Sequence, residues 1–403
     1  NDITYDGIIQ STVGTIFLNA DADVGFLPGA HSRNVLVDIP FTHSEIANAN
    51  PLSNDGFGVV TNLGNGQLLA EGLASDVWII GDTIDIADTT SAGRSVYAFA
   101  VDGITVQGNA TVNAHHGHIY MDADTDLDGT GDLNMFEGSS MVANLHADGA
   151  GYVELYGNQL YLWNIEANGR NTLTNAGIYL GADGGIIFAH HLESNYPGAN
   201  IIFDRPAGRL GDGNLQVWQW PAFFTLSGET SEWSSDGGYV FGDADTVTNV
   251  YLEGDLYSAD NLTITADILQ QVDGAVTVAG DITYNLGQAL LTGGTTSATG
   301  GHVVINTLGD STINAITALL SITAAGTGTL TLAGDLLAGG PISIQQDVLV
   351  DSDVLVDSAY IGAGGDVTFA STIDAAFPGD GSLTINAGAG LVVLGDDTGL
   401  IDP

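Results

Sequence analysis

Short runs in which apolar and polar residues alternate recur along most of the chain, separated by Gly, Asp and Asn. Val276-Thr-Val278, Leu330-Thr-Leu332 and Val367-Thr-Phe369 are the plainest, and Ile104-Thr-Val106, Ile119-Tyr-Met121 and Tyr152-Val-Glu-Leu-Tyr156 belong to the same class. A period of two places successive side chains on opposite sides of the backbone, so each run is predicted to be a short strand with one buried side. The breaks at Gly-Asp read as turns in which glycine supplies φ > 0. No apolar stripe of helical period separates the runs, so the crossover helices of an α/β fold are not expected. Parallel strands without such helices must wind as a coil. The predicted fold class is therefore all-β, a right-handed parallel β-helix (β-solenoid), its hand taken from the general preference of parallel crossovers.

Internal repetition supports the coil. Five segments align at Val250, Val276, Val303, Leu330 and Val367, and subtracting these positions gives steps of 26, 27, 27 and 37. The spacing predicts coils of about 27 residues with two or three strands each and one insertion; with about 22 to 27 residues per coil, each rising ~4.8 Å, the chain would build roughly 15 to 18 coils. The first half reads as the same solenoid with more aromatic filling. The boundaries predicted are an irregular N-terminal β region or cap over 1–95, a solenoid block over 96–214, a Trp-rich insertion or seam over 215–245, and a second solenoid block over 246–403.

Composition narrows the partners. Asp and Glu number 49 against 5 Lys plus Arg, a formal charge of −44, and every base is an arginine. Such a surface repels phosphate backbones and anionic headgroups, so neither nucleic-acid binding nor membrane attachment is expected, and cations become the natural partners. No apolar stretch is long enough to insert in a membrane. The absence of cysteine excludes disulfides and thiol chemistry. The chain begins at Asn1 without Met or a leader, which reads as a mature exported product or as a piece of something longer.

The stretch Ile119-Tyr-Met-Asp-Ala-Asp-Thr-Asp-Leu-Asp-Gly-Thr-Gly-Asp-Leu133, with Thr327-Gly-Thr-Leu-Thr-Leu-Ala-Gly334 and Gly381-Ser-Leu-Thr-Ile-Asn-Ala-Gly388, resembles repeats of filamentous-haemagglutinin-type and autotransporter-like bacterial surface proteins. The resemblance covers 100–210 and 246–395. It implies a right-handed β-helix exposed on, or released from, the cell, and an adhesin, fibre or exoprotein role without naming a ligand.

Three constellations carry candidate chemistry. Asp124, Asp126 and Asp128 with Gly129 and Asp132 follow the spacing of a calcium loop, in which alternate carboxylates converge on one ion, but position 12 is Met135 rather than a bidentate Glu. The same residues also read as a solvated acidic turn, and both readings stand. His116 and His118 alternate onto one side of a strand and His115 onto the other, a pattern open to a transition metal and equally to stacking or surface roles. Trp218, Trp220 and Trp233 form either a platform for sugar rings or a small core under a loop.

Polysaccharide lyases and hydrolases with the same fold are the enzymatic alternative. Here Lys is absent and His116-Gly117-His118 stands in the wrong order for the hydrolase motif, so no catalytic residue is assigned and the chain is read as a non-enzyme. The expected function is an extracellular or cell-surface structural or adhesive protein that associates with itself, with stabilisation by calcium (Ca2+) as the cofactor expectation. Residues 1–19 and 388–403 are the segments expected to make the end-to-end self-contact. A carbohydrate-binding β-helix is the second reading.

Overall fold

The computed structural model describes residues 3–20, 59–62, 64, 66–125, 129–144, 151–204, 214–219, 231–241, 247–377, 379 and 381–395. Among them there is no helix, and strands make up 62%. The strands pair in parallel and wind as a right-handed β-solenoid of about 13 turns. No helix among the described residues is long and apolar enough to cross a membrane. The chain divides into two compact units, Asn1–Leu215 with Thr225–Ser227, and Gln216–Phe224 with Gly228–Pro403.

The second unit shows why the alternating runs fold as they do. Leu256, Val276, Thr296, Ile316, Leu336 and Val356 occupy successive rungs of one inward column, at a constant step of 20 along the chain. A second column runs through Leu262, Ile282, Val303, Ile322, Ile342 and Val367, and a third includes Ser311, Leu330, Val348 and Ile373. Members of the first two columns are at most 2% exposed. One coil is thus three short strands: Ile316–Ala318, Ile322–Gly326 and Leu330–Leu332 are followed by Leu336, directly above Ile316.

The coil period in this region is therefore the step from Ile316 to Leu336, shorter than the period read from the repeats. Val276 lies on the first column, Val303 on the second and Leu330 on the third. The three faces of a coil share one apolar-polar-apolar pattern, and their strands start at 316, 322, 330 and then 336, which makes the steps between faces 6, 8 and 6. One coil plus one face is a step of 26 or 28, close to the first three steps of the self-alignment, which each advance one face; the last, from Leu330 on the third column to Val367 on the second, advances two. The number of turns falls below 15 because other register steps are much longer. Ile3 pairs with Val60 and Ile119 with Val153, steps of 57 and 34.

In the first unit the strands are long and bend. Val77–Ile86 and Val96–Val106 pair along their length with a register shift between Gly81 and Thr83, so one strand lines two faces. Val153–Ala167 and Ala176–Ser194 do the same with a shift after Gly157. The inward column Val77, Val96, Ile119, Val153, Ile178 and Ile201 is fully buried.

The Gly-Asp turns work differently from the expectation. Gly254, Gly280 and Gly334 are absent from the left-handed region; a Cβ at Gly254 would overlap the carbonyl oxygen of Ser231, and one at Gly334 the side chain of Asn314. Glycine is needed there because neighbouring coils approach too closely for a side chain. The aspartate that follows reaches the next coil. Asp255 accepts the N–H of Ala275, Asp281 that of His302 and Asp335 that of Leu355, all at 2.8 Å. Glutamines seal other turns from inside: Gln219 Oε1 accepts the N–H groups of Glu253 and Gly254, and Gln346 Nε2 donates to Thr307 Oγ1 and to the Gly328 carbonyl.

The column register predicts unequal responses at adjacent positions. Ile342→Ala empties part of a fully buried rung and should cost about 2–5 kcal/mol, whereas Ser343→Ala, on the opposite side of the same strand, should stay within about 0.5 kcal/mol. Urea unfolding of the two variants checks this, and equal losses would contradict the register.

Candidate functional site

The acidic loop follows the strand Ile119–Asp122. Asp124 is fully buried; its Oδ2 accepts the N–H of Gly129 at 3.2 Å, and its own N–H donates to Asp122 Oδ1 at 3.3 Å. Asp132 Oδ1 accepts from Asn158 Nδ2 and from the N–H of Gln159, both at 3.1 Å. One of these carboxylates closes the turn and the other ties the loop to the next coil. Asp126 and Asp128, the other two predicted ligands, lie outside the described residues. Among the described residues no group of three or more His, Asp or Glu is placed to hold a metal.

The histidines are separated by the packing. His115 Nε2 is 3.0 Å from Ser91 Oγ, while His118 Nε2 is 2.7 Å from the Tyr97 hydroxyl and its ring stacks on Tyr152 at 4.7 Å. His190 stacks on Trp163 at 4.0 Å. Imidazole serves here as a flat ring with a polar edge, fitted between coils.

The tryptophans are separated as well. Trp233 is fully buried in the strand Glu232–Ser235, level with Leu256 of the next coil, and Trp218 stacks on Tyr251 at 3.8 Å. Trp220 lies outside the described residues. Trp233 thus belongs to the core and is closed to a sugar.

An aromatic ladder escaped the sequence reading. Trp78 and Tyr97 pair across adjacent rungs and stack at 4.1 Å; Phe99, Tyr120, Tyr156 and Tyr179 continue the series at 5.4 to 5.6 Å. By alternation these rings lie on the side of the strands opposite Val77 and Ile79, yet Trp78, Phe99 and Tyr120 are 6–8% exposed. Both sides of these strands are buried. Carboxylates end the phenolic contacts: the Tyr156 hydroxyl donates to Glu154 at 2.6 Å and the Tyr179 hydroxyl donates to Asp204. Burial, and then the charge of Asp76, pushes Tyr97 up to about 12, so its phenol is neutral at pH 7. The available signal was an aromatic at the polar phase of consecutive runs, as in Val77-Trp-Ile79, Val96-Tyr-Ala98 and Ile119-Tyr-Met121.

The last described coil is different. Ile373–Ala375, Ser382–Asn386 and Val392–Leu394 each pair with the preceding coil, and among the described residues no strand lies on their other side. Val392 and Leu394 continue the column of Val367 and Phe369, which are 0% and 1% exposed, but are themselves 47% exposed. The first described coil, Ile3–Tyr5, Ile8–Ser11 and Ile16–Asn19, likewise pairs on one side. Its inward Tyr5, Ile16 and Leu18 are 6–8% exposed, while Ile8, outward at the level of Gln67, is 63% exposed. Of the predicted self-contact segments, residues 1–2 and 396–403 lie outside the described residues.

One face of the second unit carries no ionisable side chain at its outward positions. Outward from the second column stand Thr263, Thr283, Val304, Thr323, Ser343 and Thr368, then Val393 on the last coil. Two positions further along come Thr265, Asn285, Asn306, Ala325, Gln345 and Ala370. The outward positions of the first-column face are also uncharged from Tyr257 through Thr277, Ser297 and Thr317 to Leu337, and a carboxylate enters there only at Asp357.

No protein-family model, curated protein or solved structure matches the chain. The parallel solenoid fits a β-helix surface protein in general, and the resemblance to filamentous-haemagglutinin-type proteins is carried no further than that.

One carboxylate has a pH signature. Asp347 accepts from the hydroxyls of Ser371 (2.5 Å) and Thr372 (2.7 Å) in the next coil, and these bonds hold its carboxyl below the usual range. A folded-state value below the unfolded one, about 3.9, means that its contribution is present above that pH and is lost as pH falls through the folded value. Thermal melts of Asp347→Asn should lie below the parent at neutral pH and converge with it as pH drops below about 4. A constant gap across that range would contradict the assignment.

Proposed function

We propose that this chain is an extracellular or cell-surface structural protein that associates with itself end to end through the edges of its solenoid, as a subunit of a filament, matrix or surface layer. The observation that carries the reading is the uncovered rung Val392–Leu394. Inward positions that are buried on the preceding coils are half exposed there, beside a row of backbone groups that no strand among the described residues pairs. An open parallel edge is a template for another chain. Covering Val392 and Leu394 would contribute roughly 1 kcal/mol each, with backbone pairing in addition. The first described coil offers three strands to receive the three of the last.

Charge sets the condition. Copies of charge −44 repel at low ionic strength, and that repulsion is screened beyond about 10 Å at 0.1 M salt. Association is therefore expected to strengthen with salt and most with calcium, which bridges carboxylates. The scarcity of bases and the burial of Trp233 favour a self-associating role over recognition of a polyanion or a sugar.

The test is sedimentation velocity and negative-stain electron microscopy of the full chain, with calcium and with chelator. Linear oligomers that lengthen with concentration are expected, and Val392→Asp with Leu394→Asp should shorten them at unchanged far-ultraviolet circular dichroism. Dispersed monomers under all conditions would overturn the proposal.

A further inference from the structure

The uncharged face of the second unit meets an apolar corner. At the corner that leads into this face the chain passes through Leu319 and Leu320 on one coil, Gly339 and Gly340 on the next, and Tyr360 and Ile361 on the third, where five more residues precede the strand at Val367; the backbone bonds Gly339 N–H to Ala318 O and Tyr360 N–H to Ala338 O fix this stacking. The four large side chains are 39, 44, 49 and 55% exposed. The glycine rung has a reason. A Cβ at Gly339 would overlap the Leu319 carbonyl oxygen and would also lie 2.9 Å from Ile361 Cγ1, so the bare glycine lets Ile361 pack over this rung and join the two apolar rungs into one patch.

The face and the corner form one continuous uncharged surface. Seven rungs at ~4.8 Å and strands of three to five residues on this face at ~3.3 Å give roughly 30 by 10 to 16 Å, about 300 to 500 Å². The corner adds roughly 300 Å². About 800 Å² is what one partner contributes to a standard specific interface. The carboxylates nearest this surface stand at its margins and are engaged. Asp281 and Asp366, one position before their strands, accept the N–H groups of His302 and Leu391 in the following coils, and Asp267, at the bend after Ala266, accepts from Gln288 Nε2.

We propose that this surface is a lateral docking face for a second copy of the same chain, in a two-fold contact that places uncharged face on uncharged face. A basic partner would find no carboxylate at the outward positions to pair with. A second copy meeting this one at its acidic corners would set like charges opposite one another, which suppresses association. A two-fold contact uses one patch twice and keeps the marginal aspartates at the rim, where salt screens them. Flat parallel sheets with small β-branched and hydroxyl side chains pack face to face about 10 Å apart. This lateral contact goes beyond the end-to-end association proposed above and does not depend on it.

The chain lacks cysteine, so a single introduced thiol reports one position. With Val392→Asp present to block the edge contact, the full chain should sediment as a concentration-dependent dimer that tightens with sodium chloride. Thr323→Glu with Ser343→Glu should weaken it about tenfold or more. Thr323→Cys, on the central rung, preserves side-chain size and should give covalent dimers with a short bis-maleimide, whereas Thr317→Cys, outward on a different face, should give few. Monomers at all concentrations, a dimer indifferent to the two glutamates, or equal cross-linking at 323 and 317 would each overturn the proposal. Because the edge is blocked throughout, failure here leaves the filament reading untouched, and loss of filaments in the parent chain leaves this face to be judged by its own dimer.

Discussion

Everything in this molecule depends on the requirement that each coil lie flat on the one before it. In a parallel solenoid the backbone of a strand pairs with both neighbouring coils, and the inward side chains stack in columns such as Leu262, Ile282, Val303 and Ile322. Neither interaction tolerates separation between coils, since the strand spacing of ~4.8 Å leaves no room for water or for a side chain at the turns. The glycines of the turns and the aspartates that follow them both answer this constraint. Gly254 and Gly334 let the backbone of the preceding coil approach, at Ser231 and at Ala315. Asp255, Asp281 and Asp335 satisfy N–H groups that the turn would otherwise leave without a backbone partner.

That division of labour gives the acidic composition a structural cause. A short side chain with two acceptor oxygens, placed at a corner, reaches an amide one coil ahead, and a charged acceptor makes the stronger bond. Repeating the device builds up negative charge without any ion to bind. Asp132 and Asp124 of the acidic loop follow the same logic, one holding a neighbouring coil and the other closing its own turn. The calcium spacing in the sequence and the capping role in the structure draw on the same property, a carboxylate with lone pairs in several directions.

The strands and their parallel winding were legible because period-two alternation without helical stripes admits few other folds. The coil length was not. A self-alignment detects any shift that superposes like patterns, and with three similar faces a shift of four strands scores as well as a shift of three; only the pairing of Val276 with Thr296 rather than with Val303 separates them. The aromatic ladder was missed for a related reason. Tyr97 and Tyr120 occupy polar phases of their runs, and nothing local to those runs says that rings one coil apart will cover each other. Gln219 and Gln346 look like surface residues in sequence and are buried caps, because the groups they satisfy lie 34 and 18 positions away. Of the candidate metal residues, the pattern could not show that Asp132 is engaged by Asn158 and Gln159 of the next coil.

The distribution of charge then constrains how such molecules can meet. Aspartates are tied to corners because that is where amides need them, so the outward positions of the strands are free to be neutral, and on the face from Thr263 to Val393 they are. A flat neutral face and an uncovered apolar rung are the two kinds of surface on which strongly acidic solenoids can touch without opposing their carboxylates. They act along different directions. In the associations proposed above, the edge would extend the coil and the face would set coils side by side, so a chain using both would build a sheet or bundle and a chain using one a thread or a pair. Ionic strength biases the choice, because the corners that hold the coils together also carry the charge that keeps the molecules apart.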